Sequence, residues 1–174
     1  QTDASALLRE RGLPLWALES GDPLSEFDVV GITLQYELTF TGVLGLLELG
    51  GIPPQSADRS DADPVVLGGG PCALNPEPMA SFFDAFVMGD GEEAIHEVLD
   101  ALKPLVREPR DRRLEALAGI AGVYVPSLHD PERCSIVRRV LEDIETAAYP
   151  TRPVVPFVEM VHDRAQVEVA RGCT

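Results

Sequence analysis

A chain of 174 residues, 45% hydrophobic and 25% charged, has enough material for one globular domain and a small appendage. Its 14 Lys+Arg against 29 Asp+Glu leave a formal net charge of −15, which excludes a basic nucleic-acid footprint. No apolar run approaches the roughly 20 residues of a membrane helix and no signal peptide opens the chain, so a cytoplasmic protein with no membrane partner is expected.

Three scattered cysteines, Cys72, Cys134 and Cys173, make no secreted disulfide framework. The charge is uneven. Residues 1–102 hold 3 basic and 18 acidic side chains, whereas residues 103–174 hold 11 of each. That shift, near Lys103-Pro104, marks a candidate domain boundary. The acidic half is read first as a solvated surface, and a polyphosphate ligand is not expected on it.

Ala4 to Arg11 reads as a helix closed by Gly12, followed by an extended Leu15–Leu18 and a turn at Ser20–Pro23. The continuous apolar run Phe27–Leu34 predicts a strand buried on both faces. Phe40 to Leu49 repeats Phe40, Val43, Leu44 and Leu47 at helical spacing and ends at Gly50-Gly51. Pro64–Leu67 is a second strand running into Gly68-Gly69-Gly70-Pro71. A short helix near Glu77–Phe82 precedes a third strand, Ala85–Met88. Gly89-Asp90-Gly91 then opens a helix whose apolar face is Ala94, Ile95, Val98, Leu99 and Leu102. Alternating strands and helices of this kind predict an α/β fold, a parallel sheet with helices on both faces, over about residues 13–103.

Further on, Asp111–Ala118 predicts a helix, and Gly122–Pro126 with Ile136–Val140 a strand pair. Residues 104–150 thus form a small α+β extension. Thr151–Pro156 is a proline-stiffened linker, and Ala165–Ala170 alternates as a half-buried strand that delivers Cys173 beyond its end. The Gln1 start and the turn-like Arg171–Thr174 finish suggest a slice of a longer protein.

Ligands of open parallel sheets bind beyond the carboxyl ends of the strands, where the strand order switches direction. Three loops are expected to meet there: Gln35-Tyr36-Glu37-Leu38-Thr39, Gly68-Gly69-Gly70-Pro71-Cys72 and Gly89-Asp90-Gly91-Glu92-Glu93. Their glycines either admit a bulky ligand or only make tight turns. A dinucleotide is disfavoured, because Gly68–Cys72 does not match G-x-G-x-x-G and Pro71 interrupts it. Asp90, Glu92 and Glu93 also fill the helix N-terminus where a phosphate belongs, which argues against a flavodoxin-like flavin or nucleotide binder.

His96, His129 and His162 lack the spacing of a zinc site and read as surface or packing residues. Cys72 and Cys134 read as small packing residues, Cys72 with the option of touching a ligand. Glu37 and Glu77 are acid/base candidates without an identifiable partner. Cys173, in a loop after a strand, is placed as a cluster thiolate is placed.

Three stretches resemble a bacterial family of cobalamin-binding-domain radical S-adenosylmethionine proteins: Phe27–Leu38, Gly68–Pro78 and Phe83–Glu93. The tail Val167–Thr174 is similar to the strand entering that family's C-x-x-x-C-x-x-C motif.

The resemblance implies a Rossmann-like, cobalamin-binding-type domain at 1–103, the extension at 104–150, and a linker and first strand at 151–174 leading into a radical barrel beyond the chain. It implies Cys173 as first ligand of a [4Fe-4S] cluster that cleaves S-adenosylmethionine, with flavodoxin or ferredoxin as reductant and cobalamin as a further cofactor. Gln35, Tyr36, Glu37, Gly69, Gly70, Pro71, Cys72, Gly89, Asp90, Gly91 and Glu92 would then line the cofactor site. The D-x-H-x-x-G motif that supplies a lower histidine ligand is absent, so none is expected. A non-catalytic ligand- or substrate-docking α/β module is the alternative. Neither the substrate nor the radical's fate is legible.

Overall fold

The computed structural model describes residues 2–130, 132–133, 135–149, 151 and 167–171. It divides into two compact units, Gln1–Arg139 and Val140–Thr174.

The first unit contains α1 (Thr2–Arg11), β1 (Val29–Thr33), α2 (Phe40–Leu49), β2 (Val65–Gly69), β3 (Ala85–Val87), α3 (Ala94–Leu102), α4 (Arg110–Ala118) and β4 (Val123–Tyr124). The strands form one sheet in the order β1-β2-β3-β4. β1, β2 and β3 run parallel, in a register that sets Val29 opposite Val65 and Leu67 opposite Ala85. β4 is antiparallel to β3, with Phe86 opposite Tyr124. Two helices, α3 and α4, separate β3 from β4, and the second reverses the chain once more. The order never switches direction among the described strands, so the expected switch point is not found there.

Side-chain alternation sorts β2 and β3 onto two faces. Val66 and Phe86 join Val43 and Leu47 of α2, with Met79 and Phe83, in one apolar cluster. Val65, Leu67, Ala85 and Val87 join Ala94, Val98 and Leu102 of α3, and Leu114 and Leu117 of α4, in the other. Helices therefore cover both faces, as the continuous apolar runs of β2 and β3 predict.

β1 departs from that expectation. Val30 and Leu34 are buried, but Gly31 and Thr33 on the opposite face are exposed, and a Cβ at Gly31 would meet no atom within 4 Å. An unbroken apolar run does not show which of its residues has a neighbour.

Other differences are local. Glu77–Met79 is a 3-10 turn instead of an α-helix, with Pro78 in its first turn. In α3, Ala94, Val98 and Leu102 are buried while Ile95 and Leu99 are 38% and 46% exposed, so the apolar face is narrower than its sequence pattern. Residues 104–139, read from sequence as part of a separate extension, contribute α4 and β4 to the first unit.

The expected pairing of Gly122–Pro126 with Ile136–Val140 does not form. β4 pairs with β3, and the later segment reaches the end of β3 through a parallel bridge between Gly89 and Arg139. Two alternating segments identify strands but not their partners.

Where the prediction holds, the cause is visible. Gly12, at φ 61°, closes α1 with Gly12 N–H donating to Arg9 O and Leu13 N–H to Leu8 O, the pair of hydrogen bonds of a glycine-capped helix end.

In the second unit a 3-10 turn, Ile144–Thr146, is capped by Asp143 Oδ1, which accepts from Glu145 N–H at 2.9 Å. Residues 167–171 are not in a strand, and Val167 and Val169 are exposed, contrary to the half-buried strand expected there. The local bond is instead Arg171 to Glu168, with two contacts of 2.8 Å. Of the proline-stiffened linker only Thr151 is described, and Cys134, His162 and Cys173 also lie outside the described residues.

Candidate functional site

Two of the three predicted loops meet. Leu34, the residue after β1, donates its N–H to Gly69 O at 2.7 Å, and its own carbonyl accepts from Cys72 N–H at 3.0 Å. This pair of bonds pins the first loop beside the second at the carboxyl ends of β1 and β2. The chain then leaves Leu34 as exposed Gln35, Tyr36 and Glu37.

The result is a cleft of about 400 Å³, within the size range of small-molecule sites. One wall is Gln35, Tyr36, Glu37 and Phe40; the other is Pro71, Cys72, Leu74, Asn75 and Pro78. Phe40 was legible only as a helix residue. Leu74, Asn75 and Pro78 fall within the Gly68–Pro78 stretch, where the prolines of Asn75-Pro76-Glu77-Pro78 signal a rigid, exposed turn.

The chemistry of this cleft is polar, apolar and singly acidic. Glu37 is the charged side chain among its lining residues. Partial burial pushes the Cys72 thiol up from its usual value, and the Glu37 carboxylate pushes it further. At neutral pH Cys72 is therefore a thiol, not the activated thiolate of a nucleophile.

Gly69 and Gly70 shape the cleft without lining it. Gly70 sits at φ 90°, and a Cβ there would lie 2.9 Å from Thr33 Cγ2 and 3.1 Å from Leu34 O. Its role is to let β2's exit pass close under β1.

The third loop is elsewhere engaged, and none of Gly89, Asp90, Gly91 or Glu92 lines the cleft. Arg139 N–H donates to Met88 O at 2.8 Å and Asp90 N–H to Arg139 O at 3.1 Å. A Cβ on Gly89, at φ 103°, would stand 2.0 Å from Arg139 O. The guanidinium of Arg139 continues the contact, reaching Glu97 at 2.8 and 3.0 Å and Glu93 at 3.2 Å. Those hydrogen bonds hold the Glu97 carboxyl below its ordinary range.

Two further clusters were not anticipated. Tyr124 donates its hydroxyl to Glu77 Oε1 at 2.7 Å, giving Glu77 the partner its sequence context did not reveal. The His129 ring stacks on Tyr124 at 5.7 Å between centroids. Its Nδ1 accepts from Val125 N–H at 2.9 Å, so that nitrogen carries no proton.

The second cluster is buried at the opposite ends of the strands. Asp84, 1% exposed, accepts from Val66 N–H at 2.6 Å and Arg59 at 2.9 Å, and also contacts Ser56 and Arg110. Arg59 spends its other donors on Pro53, Pro54 and Phe82 carbonyls at 2.7–2.9 Å. Burial pulls the Arg59 guanidinium below its ordinary value and Asp84 pulls it back. Two guanidiniums, those of Arg59 and Arg110, share the one Asp84 carboxylate, and Arg110 Nε is buried without a hydrogen-bond partner; the cluster reads as a structural clamp.

Among the described residues, no group of three or more His, Cys, Asp or Glu side chains is placed to hold a metal ion. No helix among them is long and apolar enough to cross a membrane.

Comparison with known proteins gives the setting. A family described as radical SAM proteins, N-terminal, matches residues 1–126. The uncharacterized protein MJ0966 of Methanocaldococcus jannaschii is 29% identical over 85 residues, 48% of this chain and 18% of that protein. The matched part is thus less than a fifth of that relative's length. No solved structure matches.

Proposed function

The chain belongs to the N-terminal family of radical SAM proteins, and on that membership we propose that the whole protein is an S-adenosylmethionine-cleaving enzyme whose N-terminal α/β domain presents a ligand site. The family match over residues 1–126 carries the proposal. The tail Arg171-Gly172-Cys173-Thr174 supports it. In this reading Cys173 is the first of three cysteine ligands of a [4Fe-4S] cluster, the others falling four and seven residues further on. The bound cluster supplies one-electron reduction of the sulfonium, with flavodoxin or ferredoxin as electron donor. The sheet unit's own work is to hold a ligand in the Gln35–Pro78 cleft.

Cobalamin does not fit the described residues. A bulky planar ligand at the strand ends would have to approach the loop backbone closely, which glycines allow only where the space above them is open. Here Gly70 opens onto Thr33 and Leu34, and Gly89 onto the backbone of Arg139. No histidine lines the cleft, and its volume of about 400 Å³ is small for a corrin with its nucleotide tail. What remains of this reading is a small-ligand or substrate-docking role for the α/β unit.

The test is anaerobic reconstitution of the full-length protein with iron and sulfide, followed by reduction and assay of 5′-deoxyadenosine. The wild type is expected to form both cluster and nucleoside, and Cys173→Ala to lose both. A reconstituted wild type that yields no 5′-deoxyadenosine, or a Cys173→Ala protein that keeps its cluster, overturns the enzyme reading.

A further inference from the structure

The strand-end cleft has a one-sided electrostatic setting. No lysine or arginine occurs between Arg11 and Arg59, or between Arg59 and Lys103. Arg59 is itself buried against Asp84 at the other end of the strands. The loops that build the cleft therefore bring in Glu37, with Glu77 next to Pro78 of the wall, and no basic side chain of their own. A phosphate or carboxylate ligand would meet repulsion with no lysine or arginine among the cleft's lining residues to offset it.

The remaining lining is matched to an amphipathic guest. Tyr36 is 54% exposed and Leu74 45% exposed, and with Phe40, Pro71 and Pro78 they give aromatic and apolar surface. Gln35 and Asn75 add amides that both donate and accept. An aromatic face next to a carboxylate is a recognised receptor for ammonium groups.

We propose that the cleft between Gln35–Phe40 and Pro71–Pro78 binds a small organic ammonium ion, its charge at Glu37 and its apolar part against Tyr36 and Phe40. The inference rests on reading the cleft as the domain's ligand site and names the class of that ligand.

Cys72 lies in the wall and reports occupancy. Its alkylation by neutral iodoacetamide, followed by peptide mass spectrometry, is measured in the presence of tyramine, tyrosol or 4-hydroxyphenylacetate. These share a phenol ring and differ in carrying a cationic, neutral or anionic end. Tyramine is expected to slow Cys72 alkylation several-fold and saturably, tyrosol less, and the carboxylate not at all. Added salt weakens the tyramine effect only.

Each variant is compared with its own ligand-free rate, because removing Glu37 also makes the thiol more reactive. Glu37→Gln is expected to abolish the advantage of tyramine over tyrosol. Glu48→Gln removes a charge from the exposed side of α2, outside the cleft, and is expected to retain that advantage. Equal protection by all three compounds, or an unchanged preference in Glu37→Gln, overturns the cationic class and leaves the ligand site standing. Protection by none of them removes the ligand site and this inference with it, while the 5′-deoxyadenosine assay still decides the enzyme reading.

Discussion

Asp84 is the residue on which most of the sheet's polar closure depends. It stands just before β3, with its N–H donating to Val66 O at 2.9 Å and its carboxylate taking Val66 N–H, so it joins β2 to β3 by both backbone and side chain. Arg59 and Arg110 meet it at side-chain exposures of 0% and 9%. A buried ion pair stripped of one partner costs far more than the pair contributes, because the survivor keeps its desolvation penalty. Asp84→Asn keeps the shape and removes the charge that two guanidiniums share. Its expected cost is about 3–5 kcal/mol in urea denaturation. A loss below about 1 kcal/mol, the range of an exposed pair, would mean that water reaches the cluster. Part of this was readable beforehand: a carboxylate set between Phe82-Phe83 and Ala85-Phe86-Val87 must be buried, and a buried charge must be paired. Its partners were not readable. Arg59 lies 25 positions away in sequence, and no periodicity selects it over any other arginine.

At the scale of elements, the helices and parallel strands of the first unit followed from apolar runs and glycine stops, because those signals are local. What sequence could not supply was partnership between segments, and β3 shows it best. Its end was expected to open toward a ligand through Gly89-Asp90-Gly91; instead the segment ending at Arg139 lies against it. The glycine signal was real, since Gly89 needs φ 103° and has no room for a Cβ. The partner it accommodates is the chain's own backbone. Gly89→Ala therefore separates the two readings of that glycine. The substitution should displace residue 139 and release its guanidinium from Glu93 and Glu97, with a loss of about 1–3 kcal/mol from backbone strain alone. Faster amide exchange at Asp90 and Arg139, with β1 and β2 unaffected, is the expected signature. Unchanged protection at both amides would show that the bridge is not what the glycine serves. The cleft shows the same split between local and non-local information. Gln35, Tyr36, Glu37, Pro71 and Cys72 could be placed at strand ends because strand ends can be located from sequence. That they share one cavity depends on two hydrogen bonds of Leu34, which no pattern announces.

For the molecule as a whole, the net charge of −15 and a pI near 4.4 make self-repulsion a standing cost at neutral pH. Salt should relieve it. Raising ionic strength from about 0.01 M to 0.1 M shortens the Debye length from about 30 Å to about 10 Å, so repulsion between distant surface carboxylates fades. Two attractive features oppose that gain to different degrees. Arg112–Glu115, Arg133–Asp130 and Arg171–Glu168 are surface pairs, each three residues apart, of small worth that salt also weakens. The Arg59–Asp84 pair has both side chains at 0% exposure and lies beyond the reach of mobile ions. The buried attraction is thus insulated while the surface repulsion is not, and the net sign is stabilising. Sodium chloride is expected to raise the unfolding midpoint at pH 7, and a gain on the order of 1 kcal/mol would appear as roughly 2–4 °C. Asp84→Asn should lower the midpoint at every salt concentration and leave its salt dependence unchanged. A midpoint that falls as salt is added would mean that surface pairs outweigh repulsion. The acidic first half would then be a balanced surface instead of the field from which ligand charge at the cleft has been inferred.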